Sequence, residues 1–219
     1  WTKPPLTYWA IAASVSVLGE NAFAARLPMA LSFLACIGLC AASARRLAPG
    51  REALAALAYM TMLMPFGASG LVTTDFLLAA FQALAMFAFV RARFDEDGPG
   101  AWPWLMWTAF ALAFLTKGPP ALLPLLAVLA LGWLAPSPRR TPLLQKLGGP
   151  LLFLAIALPW FAIVAYRHQG LLGYFLGAEV VDRVASNNFA RHGEWYGWAE
   201  VYIPTLLLGT LPWTLRIIA

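Results

Sequence analysis

The chain has 219 residues, 61% hydrophobic and only 11% charged, with a formal net charge of +5. That is too little charge to cover the surface of a soluble domain of this size. The basic residues are scattered between apolar runs and not gathered on one amphipathic face, which argues against a nucleic-acid partner.

The apolar runs recur along the whole length without strand alternation, so helices must satisfy the backbone in lipid. The fold class this implies is all-α, a polytopic transmembrane helical bundle. A spanning helix needs about 20 mostly apolar residues. The first run, Leu6 to Leu18, is too short to cross and ends at Gly19-Glu20-Asn21. It reads as an interfacial or re-entrant helix. Seven candidate spans follow, over 22–44, 53–73, 76–93, 102–117, 119–135, 148–166 and 201–218. The run at 102–117 carries Trp102, Trp104 and Trp107, which suits an interface anchor. Cys36 and Cys40 sit in one apolar run without polar partners and read as helix-packing residues. The chain opens on Trp1 and stops inside an apolar run, so it reads as an internal piece of one larger transmembrane domain.

The loops divide the charges into two sets. Arg45, Arg46, Arg51, Arg91, Arg93, Arg139, Arg140 and Lys146 form one, bunched with Pro, Gly and the acidic run Asp95-Glu96-Asp97-Gly98. That bunching is typical of solvated loops, and the positive-inside rule places the set in the cytoplasm. The other set is Lys3, Arg26, Lys117, Arg167, Arg183 and Arg191, single charges in distinctive local sequences. Lys3, Arg26, Asp75, Lys117, Glu179, Arg183 and His192 are therefore expected on the outer side. The longest polar segment, Tyr166 to Glu200, is expected there too, and it includes Tyr196.

Lys117-Gly118-Pro119-Pro120 closes one span and opens the next. Glycine permits the reversal, proline suits a first helical turn, and a Lys beside free N–H groups attracts phosphate. A snorkelling Lys is the plain alternative. Lys3-Pro4-Pro5 follows the same logic, since two prolines fix the Lys relative to the next helix. Arg26 needs a partner at a membrane boundary, and Glu20 is one candidate. Asp75 could cap a helix starting at Phe76 or hold a polar substrate or an Arg. Glu179, Asp182 and Arg183 could form a helical salt-bridge ladder. Neither His168 nor His192 belongs to a metal-ligating cluster. Together the cations, the carboxylates and the surrounding Trp and Tyr suit an amphiphile whose phosphate head sits at the interface. A multi-span transporter or lipid flippase, and a non-catalytic membrane scaffold, are the rival readings. A transporter would be expected to show internal repeats, and none is visible.

Several pieces in order also resemble a known pattern. They are Lys3-Pro4-Pro5-Leu6-Thr7-Tyr8-Trp9, Gly19-Glu20-Asn21 through Arg26-Leu27-Pro28, Met64-Pro65 with Thr73-Thr74-Asp75, and Phe114-Leu115-Thr116-Lys117-Gly118-Pro119. Leu158-Pro159-Trp160-Phe161, Tyr174-Phe175 with Glu179 and Arg183, and Leu211-Pro212-Trp213 complete the set. In that order they resemble the aminoarabinose transferase branch of the protein mannosyltransferase-like superfamily. The resemblance implies a GT-C glycosyltransferase of the bacterial inner membrane. Such an enzyme takes a sugar from a polyprenyl-phosphate donor and passes it to a lipid, glycan or protein acceptor on the outer side. It implies Lys3 and Arg183 as contacts to the lipid-linked phosphate and Lys117 close to it, with Arg26 and Asp75 as supporting polar groups. Lys117 is counted with the phosphate-binding set, and Glu179, His192 and Tyr196 of the outer polar segment are counted with the supporting groups. The catalytic acid it implies belongs upstream of Trp1. No organic cofactor is expected, and a divalent metal is left open. Thr2 stands where relatives often carry an acid, and the stretch Arg191-His192-Gly193-Glu194-Trp195-Tyr196-Gly197-Trp198 suggests a separate branch, so the sugar and acceptor do not carry over.

Overall fold

The computed structural model describes residues 3–95, 100–134, 147–168, 173 and 196–218. The described residues are helical and contain no strand, as the apolar pattern predicts. In chain order the helices are α1 (Leu6–Leu18), α2 (Ala22–Leu47), α3 (Glu52–Thr61), α4 (Leu63–Ala68), α5 (Asp75–Phe94) and α6 (Trp102–Lys117). A 3-10 turn (Pro119–Leu122) then leads into α7 (Leu123–Leu134), followed by α8 (Gly148–Arg167), α9 (Gly197–Gly209) and α10 (Thr214–Ile218). Among the described residues, α2, α5 and α8 are each long and apolar enough to cross a membrane.

Three of the expected spans are interrupted, each at proline. The run 53–73 divides at Met62, which is extended (ψ 134°). Pro65 explains the break: it has no N–H for the Thr61 carbonyl, and its ring clashes with that carbonyl in a regular helix. Pro119 and Pro120 wind the start of the next run into the 3-10 turn. The last run stops at Gly209 and resumes at Thr214, past Pro212.

Hydrogen bonds and packing fix the helix directions. Arg46 reaches Asp95 at 3.2 Å, and Arg26 reaches the Gly70 carbonyl at 3.2 Å, so α2 and α5 run parallel. α6 returns antiparallel to α5, because Arg91 lies over Trp102 (4.4 Å to the ring centroid) while Lys117 meets Asp75. α8 runs parallel to α6: Phe153 packs on Trp107, and Phe161 packs on Phe114. The core lies between α5 and α6, where Ala85, Ala88, Ala92 and Ala109 let the backbones approach around Phe89, Met106 and Phe110. Small residues at a helix crossing are how membrane bundles gain van der Waals contact without a hydrophobic driving force. Leu31, Leu34, Leu151 and Leu158 are all more than half exposed. That apolar exterior suits lipid contact and is costly in water.

Asp95, expected in a solvated loop, is not solvated. Asp95 is buried, with Arg91 Nε donating to its carboxylate at 2.6 Å and Arg46 close on the other side. A buried carboxylate in a membrane protein needs such partners. Cys36 is buried in α2 and Cys40 half-buried, both as free thiols, consistent with packing roles.

Candidate phosphate-binding end

Two ends of the bundle emerge, and they carry different chemistry. One gathers Arg45, Arg46, Arg91 and Asp95 at the last turns of α2 and α5. The other gathers the first turn of α5, the last turn of α6 and the start of α2.

At this second end, Asp75 opens α5 and Lys117 closes α6. Their side chains form an ion pair and hydrogen bond. Asp75 therefore does not cap α5; the helix begins at Asp75 itself, and Thr74 precedes it without a side-chain cap bond. The Asp75 N–H donates to Thr73 Oγ1 at a long 3.4 Å. Both charges are partly exposed, the Lys117 side chain by 31% and the Asp75 side chain by 59%, so a soluble head group can reach them. A carboxylate near a helix N-terminus and a cation near a helix C-terminus are each favoured by the helix dipoles.

Gly118 follows Lys117 with φ +75°, a conformation open to glycine at little cost. Its N–H still donates to the Phe114 carbonyl at 2.8 Å, closing α6. Across the hairpin, Gln82 of α5 donates its side-chain amide to the carbonyls of Pro120 (3.1 Å) and Ala121 (3.2 Å). The reversal after Lys117 is thus braced from α5.

Arg26 does not pair with Glu20. Its Nε donates to the Gly70 carbonyl, five residues before Asp75. Asn21 caps α2, its side chain accepting from the Ala24 N–H at 2.8 Å. Lys3 stands half-buried ahead of α1, whose start at Pro4 and Pro5 is buried. α1 packs on α2 and touches α6. Tyr196 is exposed immediately before α9. Glu179, Arg183 and His192 lie outside the described residues.

Beside this end runs a groove of about 640 Å³ between α1, α2 and α5. Its lining is almost wholly carbon, including Val17, Leu27, Leu31, Leu77 and Phe81. The polar side chains that line it, Ser14 and Ser32, are both spent on backbone carbonyls, of Ala24 and Pro28. Leu27 follows Arg26, and Leu77 lies two residues beyond Asp75. A polar rim and an apolar trough therefore adjoin, as a membrane amphiphile requires. Among the described residues no group of three or more His, Cys, Asp or Glu is placed to hold a metal.

Sequence reasoning named Asp75 and Lys117 separately but did not pair them, since 42 residues intervene. Gln82 and Gly70 carried no signal at all: a lone amide in an apolar helix and a loop carbonyl are unreadable without the fold.

The sequence pattern of the dolichyl-phosphate-mannose-protein mannosyltransferase family matches residues 2–166. The undecaprenyl phosphate-alpha-4-amino-4-deoxy-L-arabinose arabinosyl transferase 1 of Pseudomonas fluorescens (strain Pf0-1) is 32% identical, over 97% of this chain and 38% of its own length. The corresponding transferase of Edwardsiella ictaluri (strain 93-146) is 31% identical, over 96% of this chain and 38% of its own length. Among solved structures, ArnT from Cupriavidus metallidurans bound to undecaprenyl phosphate superposes with a TM-score of 0.86 at 26% identity, covering 99% of this chain and 40% of that one. Its apo state gives 0.82 at the same identity, covering 99% of this chain and 39% of that one. The chain thus spans about two fifths of the length of the relatives it matches.

Proposed function

The chain belongs to the dolichyl-phosphate-mannose-protein mannosyltransferase family, and on that premise we propose that it forms part of a membrane glycosyltransferase using an undecaprenyl-phosphate-linked sugar. The bacterial inner membrane is its location, with the Asp75–Lys117 end facing outward. The donor class is the one that the names of the relatives give for those proteins, and the acceptor is a lipid, glycan or protein. The observation that carries this reading is the adjacency of a charged rim and an apolar trough on α1, α2 and α5. The rim suits a phosphate, and the trough suits part of a prenyl chain.

In this reading Lys3, Lys117 and Arg183 contact the lipid-linked phosphate. Arg26, Asp75, Glu179, His192 and Tyr196 support them. Transfer breaks the bond between the anomeric carbon and a phosphate oxygen and forms one from that carbon to the acceptor oxygen. The acceptor hydroxyl gives its proton to a carboxylate on the opposite face of the ring, and the anomeric centre inverts. Negative charge grows on the departing phosphate, where a fixed ammonium stabilises it most. Asp75 holds the Lys117 ammonium in place beforehand, so little reorganisation is needed when the phosphate arrives.

The test is transfer by the full-length protein carrying Lys117→Ala or Arg183→Ala. Loss of transfer with normal membrane insertion supports the site. Undiminished transfer by both variants overturns it.

A further inference from the structure

Two of the stretches that the sequence singles out, Met64-Pro65 and Leu211-Pro212-Trp213, are assigned no role by the reaction, yet the structure brings them together. The Leu63 N–H, which would bond Tyr59 in an unbroken helix, donates instead to the Leu211 carbonyl at 2.9 Å. Trp213 Nε1 donates to Thr61 Oγ1 at 2.8 Å. Thr61 Oγ1 in turn donates to the Leu57 carbonyl at 2.6 Å, so the hydroxyl is used in both directions. Gly209 closes the joint: a Cβ there would lie 2.9 Å from Met64 Cβ, so no larger residue fits without a shift. The chain from Gly209 to Trp213 therefore grips both sides of the break at Met62.

The break matters because it detaches α4 from α3. α4 is six residues long and, like α3, buries none of its residues. Packing against the core cannot hold it in place, so its position depends on this joint. From its far end the chain runs through Ser69 and Gly70, where Arg26 docks, to Thr73 and Asp75. No helix intervenes between Ala68 and Asp75. The location of α4 thus sets the path by which the chain enters the first turn of α5, where Asp75 meets Lys117.

We infer that Thr61 and Trp213 are positioning residues for the Asp75–Lys117 pair, acting through α4. The consequence for sugar transfer rests on the function proposed above; the positioning itself does not, and can be read without activity.

The experiment labels Lys117 in the full-length protein with a water-soluble amine-reactive reagent and follows the rate by mass spectrometry. Asp75→Ala sets the rate for an unshielded amine. Trp213→Phe and Thr61→Val each delete the indole–hydroxyl bond, and each is expected to raise the labelling rate about fivefold, the equilibrium worth of one hydrogen bond. Thr61→Ser keeps the hydroxyl and should label like the parent. The double variant Thr61→Val/Trp213→Phe should label no faster than either single variant, because both remove one interaction. Parental labelling rates in both Thr61→Val and Trp213→Phe overturn the inference, and so does a parental rate in Asp75→Ala. Faster labelling with full transfer would uphold the positioning role and contradict the assignment of Lys117 to the donor phosphate.

Discussion

Lys117 donates to Asp75 across 42 residues of chain, joining the last turn of α6 to the first turn of α5. Each charge sits at a helix end whose dipole favours it. Because both are partly exposed, the pair adds little to stability on its own. On the function proposed above, its value lies in placement: one cation is held where a lipid phosphate would meet it.

The two halves of this pair are predicted to fail differently. Lys117→Met removes the cation and should lower the turnover of lipid-linked donor by about 100-fold, the usual cost of deleting one charge-stabilising donor. Asp75→Asn keeps the shape and removes only the counter-charge, so a loss of about tenfold is expected. The double variant should match Lys117→Met, since Asp75 acts through the lysine. Steady-state transfer with the full-length protein measures all three.

Gly118→Ala forces an L side chain into φ +75° immediately after Lys117. With ψ at −142° the conformation is one that only glycine adopts readily, and the backbone cost is about 1–3 kcal/mol. Gly118→Asn should cost about as much, because ψ −142° lies outside the left-handed helical region that Asn tolerates. Thermal unfolding in detergent should place both variants below the parent; equal midpoints for all three would contradict the assigned backbone.

Gln82→Leu deletes two hydrogen bonds to the turn that follows Lys117. The expected loss is about 1–2 kcal/mol, with a several-fold rise in KM for the donor as the hairpin loosens. A variant with parental stability and parental KM would show that Gln82 does not brace the turn.

At the opposite end, Asp95→Ala leaves Arg46 and Arg91 facing each other without the carboxylate between them. Arg91 remains stacked on Trp102, but the link from α2 to α5 is lost. Destabilisation of about 2 kcal/mol is expected, reduced from the buried-pair range because Arg46 is 40% exposed. Transfer per folded molecule should not change, which separates this end from the charged rim.

Much of the fold was legible in composition and proline positions. The limits of α1, α5, α6 and α8 fall within a residue or two of the apolar runs, because hydrocarbon length and interfacial charge set both. The interruptions at Met62 and after Gly209 were legible only in hindsight: Pro65 and Pro212 mark them, but a run of apolar residues hides a break whose stabilising partners lie about 150 residues away. The same holds for the site. Lys117 was readable from Lys-Gly-Pro-Pro, as local chemistry. Its partner Asp75, the Gly70 carbonyl that receives Arg26, and the burial of Asp95 depend on which helices lie side by side, and local sequence does not encode that.

The most direct test replaces Lys3, Lys117 and Arg183 in turn by cysteine in the full-length protein and applies a membrane-impermeant thiol reagent to intact spheroplasts. All three should label from outside, and saturating undecaprenyl phosphate should slow each reaction. Labelling of any one of them only after the membrane is opened would contradict a shared phosphate site on the outer face.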